Sequence, residues 1–305
     1  MLVFAASDKG GTGRSVTSAN LAYRRSLRGD DVCYLDFDFG SPTAAAVFDV
    51  PGSLRGVESG GLHSYLQGKV TEPHRIDVWA DTENEALRQR PTGSGQLVLV
   101  PGDRSGGEFA TNRDAVRRCV SLFLRLEEEF DVILVDLSAG RSYAVDMALD
   151  ATSRPEARGL LTRWLVFHRW TRQHIVAASG LVFGDRGVVA GGVARGHDKE
   201  RLLSSIRFVR AAVPDPESPL LAHVPAPQSA WLRKCDQDLR EFASAQQVGY
   251  SRVLSTVPLE PVLQWREQLI TDEDVLASKV ANRATREALE ELADKLDDEG
   301  AWGER

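Results

Sequence analysis

The chain opens on an apolar run, Leu2 to Ala6, that passes within three residues into Lys9-Gly10-Gly11-Thr12-Gly13-Arg14-Ser15 and then into helical spacing at Val16, Ala19, Tyr23 and Leu27. A short, uninterrupted apolar run is the mark of a strand buried on both faces, and such strands belong to parallel sheets covered by helices. After a turn at Gly29-Asp30-Asp31, a second strand at Val32 to Leu35 ends in Asp36-Phe37-Asp38. This is a βαβ unit with a glycine-rich turn after its first strand and carboxylates after its second.

The alternation continues along the chain. Leu97 to Val100 reads as a strand, Asn112 to Phe130 as an amphipathic helix, and Val132 to Val135 as a strong strand ending in Asp136. Further elements are expected at Trp164 to Phe167 (strand), Gln173 to Phe183 (helix), Gly187 to Val193 (strand) and Lys199 to Val213 (helix). Leu220 to Val224 (strand), Ala230 to Gln246 (helix) and Arg252 to Val257 (strand, stopped by Pro258) follow. The expected class is α/β, a mostly parallel sheet with helices on both faces.

Residues 51 to 96 are rich in Gly, Pro and charge, with a short helix at Leu62 to Leu66 and a strand at Ile76 to Trp79. The chain is therefore divided into a single domain over 1–285, with 55–96 as surface elaboration, and a helical tail over 286–305. From Glu287 onward that tail has eight acidic against two basic residues, the pattern of a solvated helix.

A formal charge of −7 over 305 residues argues against a surface built wholly for polyanions, so nonspecific DNA binding is possible but not favoured. Cys33, Cys119 and Cys235 form no C-x-x-C pair, which points away from a zinc site and a disulfide framework and toward a reducing, cytoplasmic setting. No export signal and no membrane span is expected. Arg154, Arg158, Arg163, Arg169 and Arg172, interleaved with Trp164 and Trp170, form either a binding patch or ordinary surface charge. His168 and His174 lack ligand-type neighbours, so a structural or partner-contact role is expected of them rather than metal binding.

Backbone N–H groups in a glycine-rich turn at a helix N-terminus cradle anions, helped by the helix dipole. Gly10, Gly11, Thr12, Gly13, Arg14, Ser15 and Val16 are the candidate nucleotide contacts. Glycines there also serve ligand-free tight turns, but carboxylates at two further strand ends, Asp36 with Asp38 and Asp136, favour a phosphate and metal site.

The stretch Lys9 to Ser15 resembles the K-G-G-x-G-K-[ST] loop of the ParA/MinD group of deviant Walker ATPases, a group similar to the nitrogenase iron protein, and departs from it at Arg14. Gly40-Ser41-Pro42 to Phe48, the strand ending in Pro101-Gly102, and Phe130-Asp131 to Asp136 extend the resemblance over about the first 150 residues. The resemblance implies a three-layer P-loop NTPase fold binding ATP or ADP with Mg²⁺. It makes Ser15, Asp36 and Asp136 metal ligands, and gives Lys9 and Asp38 catalytic roles. Lys9 would reach the partner's phosphates in a nucleotide-sandwich homodimer, and Asp38 would orient the attacking water. MinD-like members grip membranes with a basic C-terminal helix, which the acidic tail here does not match.

Arg14 stands where the group has lysine. A guanidinium is permanently charged and binds phosphate bidentately, but it is bulkier and planar and cannot follow a migrating phosphoryl group as an ammonium can. Two functions follow: an ATP-dependent molecular switch with slow hydrolysis and a protein partner still to be identified, or a pseudo-ATPase scaffold that keeps the fold without the chemistry. A ligase or synthetase ranks below both, because no constellation for an acceptor substrate stands out.

Overall fold

A computed structural model describes residues 1–214 and 224–303. Eight strands form one sheet in the order β3-β4-β2-β5-β1-β6-β7-β8. They are β1 (Leu2–Ala6), β2 (Val32–Phe37), β3 (Ile76–Asp77), β4 (Leu97–Val100), β5 (Val132–Leu137), β6 (Thr162–Arg169), β7 (Ile206–Val213) and β8 (Val253–Pro258). Every pairing is parallel except that of the edge strand β3 with β4.

Because side chains alternate across a strand, each central strand feeds two cores. Leu2, Phe4 and Ala6 face the helices α2 (Arg113–Glu129), α3 (Tyr143–Thr152), α4 (Arg172–Phe183) and α5 (Val188–Ala194). Val3, Ala5 and Tyr34 face α1 (Arg14–Leu27) and the C-terminal helix α8 (Arg283–Asp294). This is the expected three-layer α/β architecture.

Several elements differ from the sequence reading. The stretch expected as a strand at 187–193 is instead a helix, Val188–Ala194 (α5), with Val188, Val189 and Gly192 buried at helical spacing and Gly192 set close to Leu149 and Leu202. The stretch 199–213, expected as one helix, is a short helix α6 (Lys199–Ser204) followed by β7 between β6 and β8. Its two arginines lie three apart and imitate a helical polar stripe. They are buried, with Arg207 over the Trp302 ring and Arg210 3.9 Å from the Trp170 centroid. Only Ile76–Asp77 of the expected 76–79 strand is extended, and Val78–Asp81 turns into a helix capped by Asp77. The expected strand at Leu220 to Val224 falls, except for Val224, outside the described residues.

The segment 55–96 does more than decorate the surface. It supplies β3 and buries Leu62, Leu66, Val78, Trp79 and Leu87. Nor is the acidic tail free: Leu289, Leu292, Ala293, Leu296 and Trp302 are buried, while its acids take partners from α1. Arg24 reaches Glu290 at 3.5 Å, Arg25 reaches Asp297, and Arg28 reaches Asp294 at 2.6 Å. Residues Arg172–Ala194 are long and apolar enough to cross a membrane by length and composition, contrary to the expectation of no such stretch. A break at Gly184–Gly187 divides them into α4 and α5, which pack on the sheet.

Candidate functional site

The glycine-rich turn lies between β1 and α1 at the carboxyl edge of the sheet. Gly11 and Gly13 have φ of +70° and +80°, a region where an L side chain is strained, and Gly13 caps α1 in the left-handed conformation. Nothing lies within 4 Å of a Cβ built on Gly10 or Gly11, so the turn is open on its outer side. Thr12 is buried, and Ser15 and Val16 are half-buried at the first turn of α1. Lys9 is half-exposed on the same rim, near His174, whose pKa is lowered by burial and then by Lys9.

Arg14 does not point out of this cradle. Its side chain is 6% exposed and runs inward to the carboxylates at the strand ends. The Nε donates to Asp136 Oδ1 at 2.5 Å, and one terminal nitrogen donates to Asp38 Oδ2 at 3.0 Å and Ser15 Oγ at 3.3 Å. The other terminal nitrogen is 3.4 Å from Ser7 Oγ. Burial acts to lower the Arg14 pKa, but Asp136 and Asp38 outweigh it and raise the pKa, so the charge is fixed.

Asp136 and Asp36 lie side by side in register on β5 and β2. Asp136 also accepts from the Tyr34 hydroxyl at 2.9 Å, and Tyr34 in turn lies 2.9 Å from Ser18 Oγ. Burial, reinforced by Asp136, drives the Tyr34 phenol well above its usual range and keeps it a donor. Tyr34 is a site residue that sequence reasoning missed. Its signal was a hydroxyl two residues before Asp36 on the same face of an otherwise apolar strand.

Asp36 faces elsewhere than a metal ligand should. Its two oxygens accept from the backbone N–H groups of Asp38, at 3.3 Å, and Ala44, at 3.0 Å. Burial and the neighbouring Asp136 push its carboxyl well above the usual carboxylate range. As these side chains stand, Ser15, Asp36 and Asp136 do not make a divalent-cation site. Ser15 and Asp136 already face a guanidinium, and Asp36 is spent on backbone. Among the described residues no group of three or more His, Cys, Asp or Glu side chains is placed to hold a metal.

Beside the turn is a cleft of about 170 Å³ bordered by Gly13, Val16, Ala211, Val257, Pro258 and Leu263. It is smaller than the roughly 300–1,000 Å³ of sites that enclose a drug-sized ligand.

The basic cluster at 154–172 disperses. Trp164 and Trp170 are buried, Arg163 stacks over Trp302 at 4.3 Å, and Arg172 lies over Phe242. His168 is buried against the backbone, with Nδ1 donating to the Arg169 carbonyl at 3.0 Å.

No family model matches the chain. The septum site-determining protein MinD of a Synechocystis species is 30% identical over 144 residues, a match covering 46% of this chain and 45% of that protein, so less than half of the relative's length is spanned. Solved structures follow the whole chain. MinD in the MinC:MinD cell division complex of Aquifex aeolicus superposes with a TM-score of 0.62 at 17% identity, covering 97% of this chain and 94% of that one. A Borrelia burgdorferi plasmid partition protein bound to AMPPNP gives 0.62 at 13% identity, covering 97% of each chain. The fold is that of the ParA/MinD ATPases. MinD of Pyrococcus horikoshii, solved with Mg-ADP, gives 0.54 at 16% identity, covering 98% of this chain and 96% of that one. At the glycine-rich turn of this ParA/MinD fold, Arg14 is ion-paired to two of the carboxylates that follow the strands, Asp38 and Asp136.

Proposed function

We propose that this ParA/MinD-like chain binds a nucleotide at the turn formed by Gly10 to Ser15 and does not hydrolyse it, acting as a pseudo-ATPase that presents a nucleotide-dependent surface to a protein partner in the cytoplasm. The observation that carries this reading is the ion pair of Arg14 with Asp38 at 3.0 Å. A carboxylate that orients an attacking water needs a free lone pair toward that water. Here Asp38 faces a fixed cation instead.

What remains is a binding apparatus. Backbone N–H groups of Gly11 to Arg14 and the dipole of α1 would hold the phosphates, and the cleft at Val257 and Pro258 would take the base. Mg²⁺, which the fold family implies, does not fit the side chains as they are arranged, and no step is assigned to it. The test is steady-state turnover with fluorescent ADP and ATP binding measured in parallel. Wild type is expected to bind with turnover at background, and Arg14→Lys to turn over faster. If wild type already hydrolyses ATP as fast as Arg14→Lys, the reading fails.

A second element of the proposal is a nucleotide-dependent homodimer. It is favoured by the half-exposed Lys9 on the rim and by the open space outside Gly10 and Gly11, where a second copy could approach. Molar mass measured with and without nucleotide is expected to rise toward a dimer in wild type and to stay monomeric in Lys9→Ala. An unchanged dimer in Lys9→Ala would exclude the sandwich arrangement.

A further inference from the structure

The guanidinium of Arg14 contacts two of the three residues that the resemblance gives as metal ligands, Ser15 at the start of α1 and Asp136 at the end of β5, and also the carboxylate of Asp38. We propose that Arg14 is a built-in replacement for the divalent cation, so that this loop excludes metal and takes its nucleoside di- or triphosphate as the free anion. The inference rests on the nucleotide-binding reading above and specifies which form of the ligand the site accepts.

The geometry supports replacement rather than coexistence. Both contacts to carboxylates use different nitrogens of one rigid fork, and the Asp136 oxygen not used by Arg14 is held by Tyr34. A cation entering between Ser15 and Asp136 would have to displace a side chain that is 6% exposed and bonded on every nitrogen. Asp36, the remaining expected ligand, is held by two backbone N–H groups.

Charge is consistent with the same conclusion. Arg14 and Lys9 contribute two positive charges, and Asp38 and Asp136 two negative ones, so the side chains around the turn are close to neutral before any ligand arrives. Attraction for phosphate then falls to the open backbone N–H groups and the helix dipole, which need no metal to act.

Two measurements on the intact chain test this. The first titrates Mn²⁺ alone and follows its free electron paramagnetic resonance signal. Wild type is expected to leave the signal unchanged at millimolar Mn²⁺, whereas Arg14→Ala, if it folds, should take up one ion in a way that Asp136→Asn in the same background abolishes. Binding of Mn²⁺ by wild type that is lost in Asp136→Asn would overturn the proposal. The second compares ADP affinity in EDTA and in Mg²⁺. Wild type should differ by less than about twofold and Arg14→Lys by tenfold or more in favour of Mg²⁺. A tenfold gain from Mg²⁺ in wild type would overturn it. If wild type binds no nucleotide under either condition, the proposed function falls, and the Mn²⁺ titration decides the metal question by itself.

Discussion

Arg14 and His168 are both buried titratable residues at the carboxyl end of the sheet, and their surroundings drive them to opposite states. Arg14 is surrounded by two carboxylates and stays charged. Separating it from Asp136 with both still buried costs about 3–5 kcal/mol. A ligand that needed Arg14 to swing onto its phosphates would lose roughly 10²- to 10⁴-fold in affinity to that step. His168 has only a backbone carbonyl as partner, its Nε2 has none, and burial, with Arg210 and His174 adding to it, lowers its pKa from 6.5 to about 4. In the folded chain it binds fewer protons than in the unfolded chain between those values, so stability rises with pH across that window. His168 is therefore expected to contribute fully above pH 6.5 and to lose about 3 kcal/mol as pH falls toward 4. Urea denaturation of wild type and His168→Phe at several pH values measures it: the variant should lose that part of the slope. An equal slope in both would place the titration elsewhere.

Among elements, α8 shows how composition can mislead. Its acids were read as the sign of a solvated tail, yet the spacing of Thr285, Ala288, Leu289, Leu292 and Ala293 buries one face against α1 and β8. Truncating Leu292, which is 0% exposed, to alanine is expected to cost about 2–5 kcal/mol, read as a lower denaturation midpoint with unchanged slope. A cost below about 0.5 kcal/mol would mean that α8 is a surface appendage. The same contrast governs what could be read elsewhere. β1, β2 and β5 were legible because uninterrupted apolar runs end in polar turns. β7 was not, because Arg207 and Arg210 sit inside an interior strand, where Arg207 lies over Trp302 and donates to the Ala301 and Gly303 carbonyls and Arg210 lies over Trp170, groups remote in sequence. At the site, the positions of Gly11, Gly13, Asp38 and Asp136 were legible from spacing. The inward course of Arg14 was not, since side-chain direction depends on which charges the fold brings within reach. The course of Asp36 was not legible for a similar reason, because the chain turns back at Ala44 and offers it a backbone N–H.

Across the whole molecule, the glycine-rich turn and the C-terminal segment are linked through one helix. α1 is capped by Gly13 at its start and by Arg28 at its end, and there Arg24 meets Glu290, Arg25 donates to the Ala293 carbonyl and Arg28 meets Asp294, all on α8. The apolar face of α8 is already occupied, and Glu287, Glu291 and Asp294 are exposed. A helix grips an anionic membrane surface when it has a free apolar face and unpaired basic flanks; the apolar face of α8 is buried, and Arg283, Arg286 and Lys295 at its ends are paired with Glu287, Glu290 and Glu291. Sedimentation with vesicles is therefore expected to recover no more protein at 50% anionic lipid than with neutral lipid, whether or not ADP is present. Recovery that rises with anionic lipid only when nucleotide is bound would show that occupancy of the loop releases α8 from α1. Because the arginines that fasten α8 belong to the helix that starts at the loop, such a result would make α1 the element that transmits it.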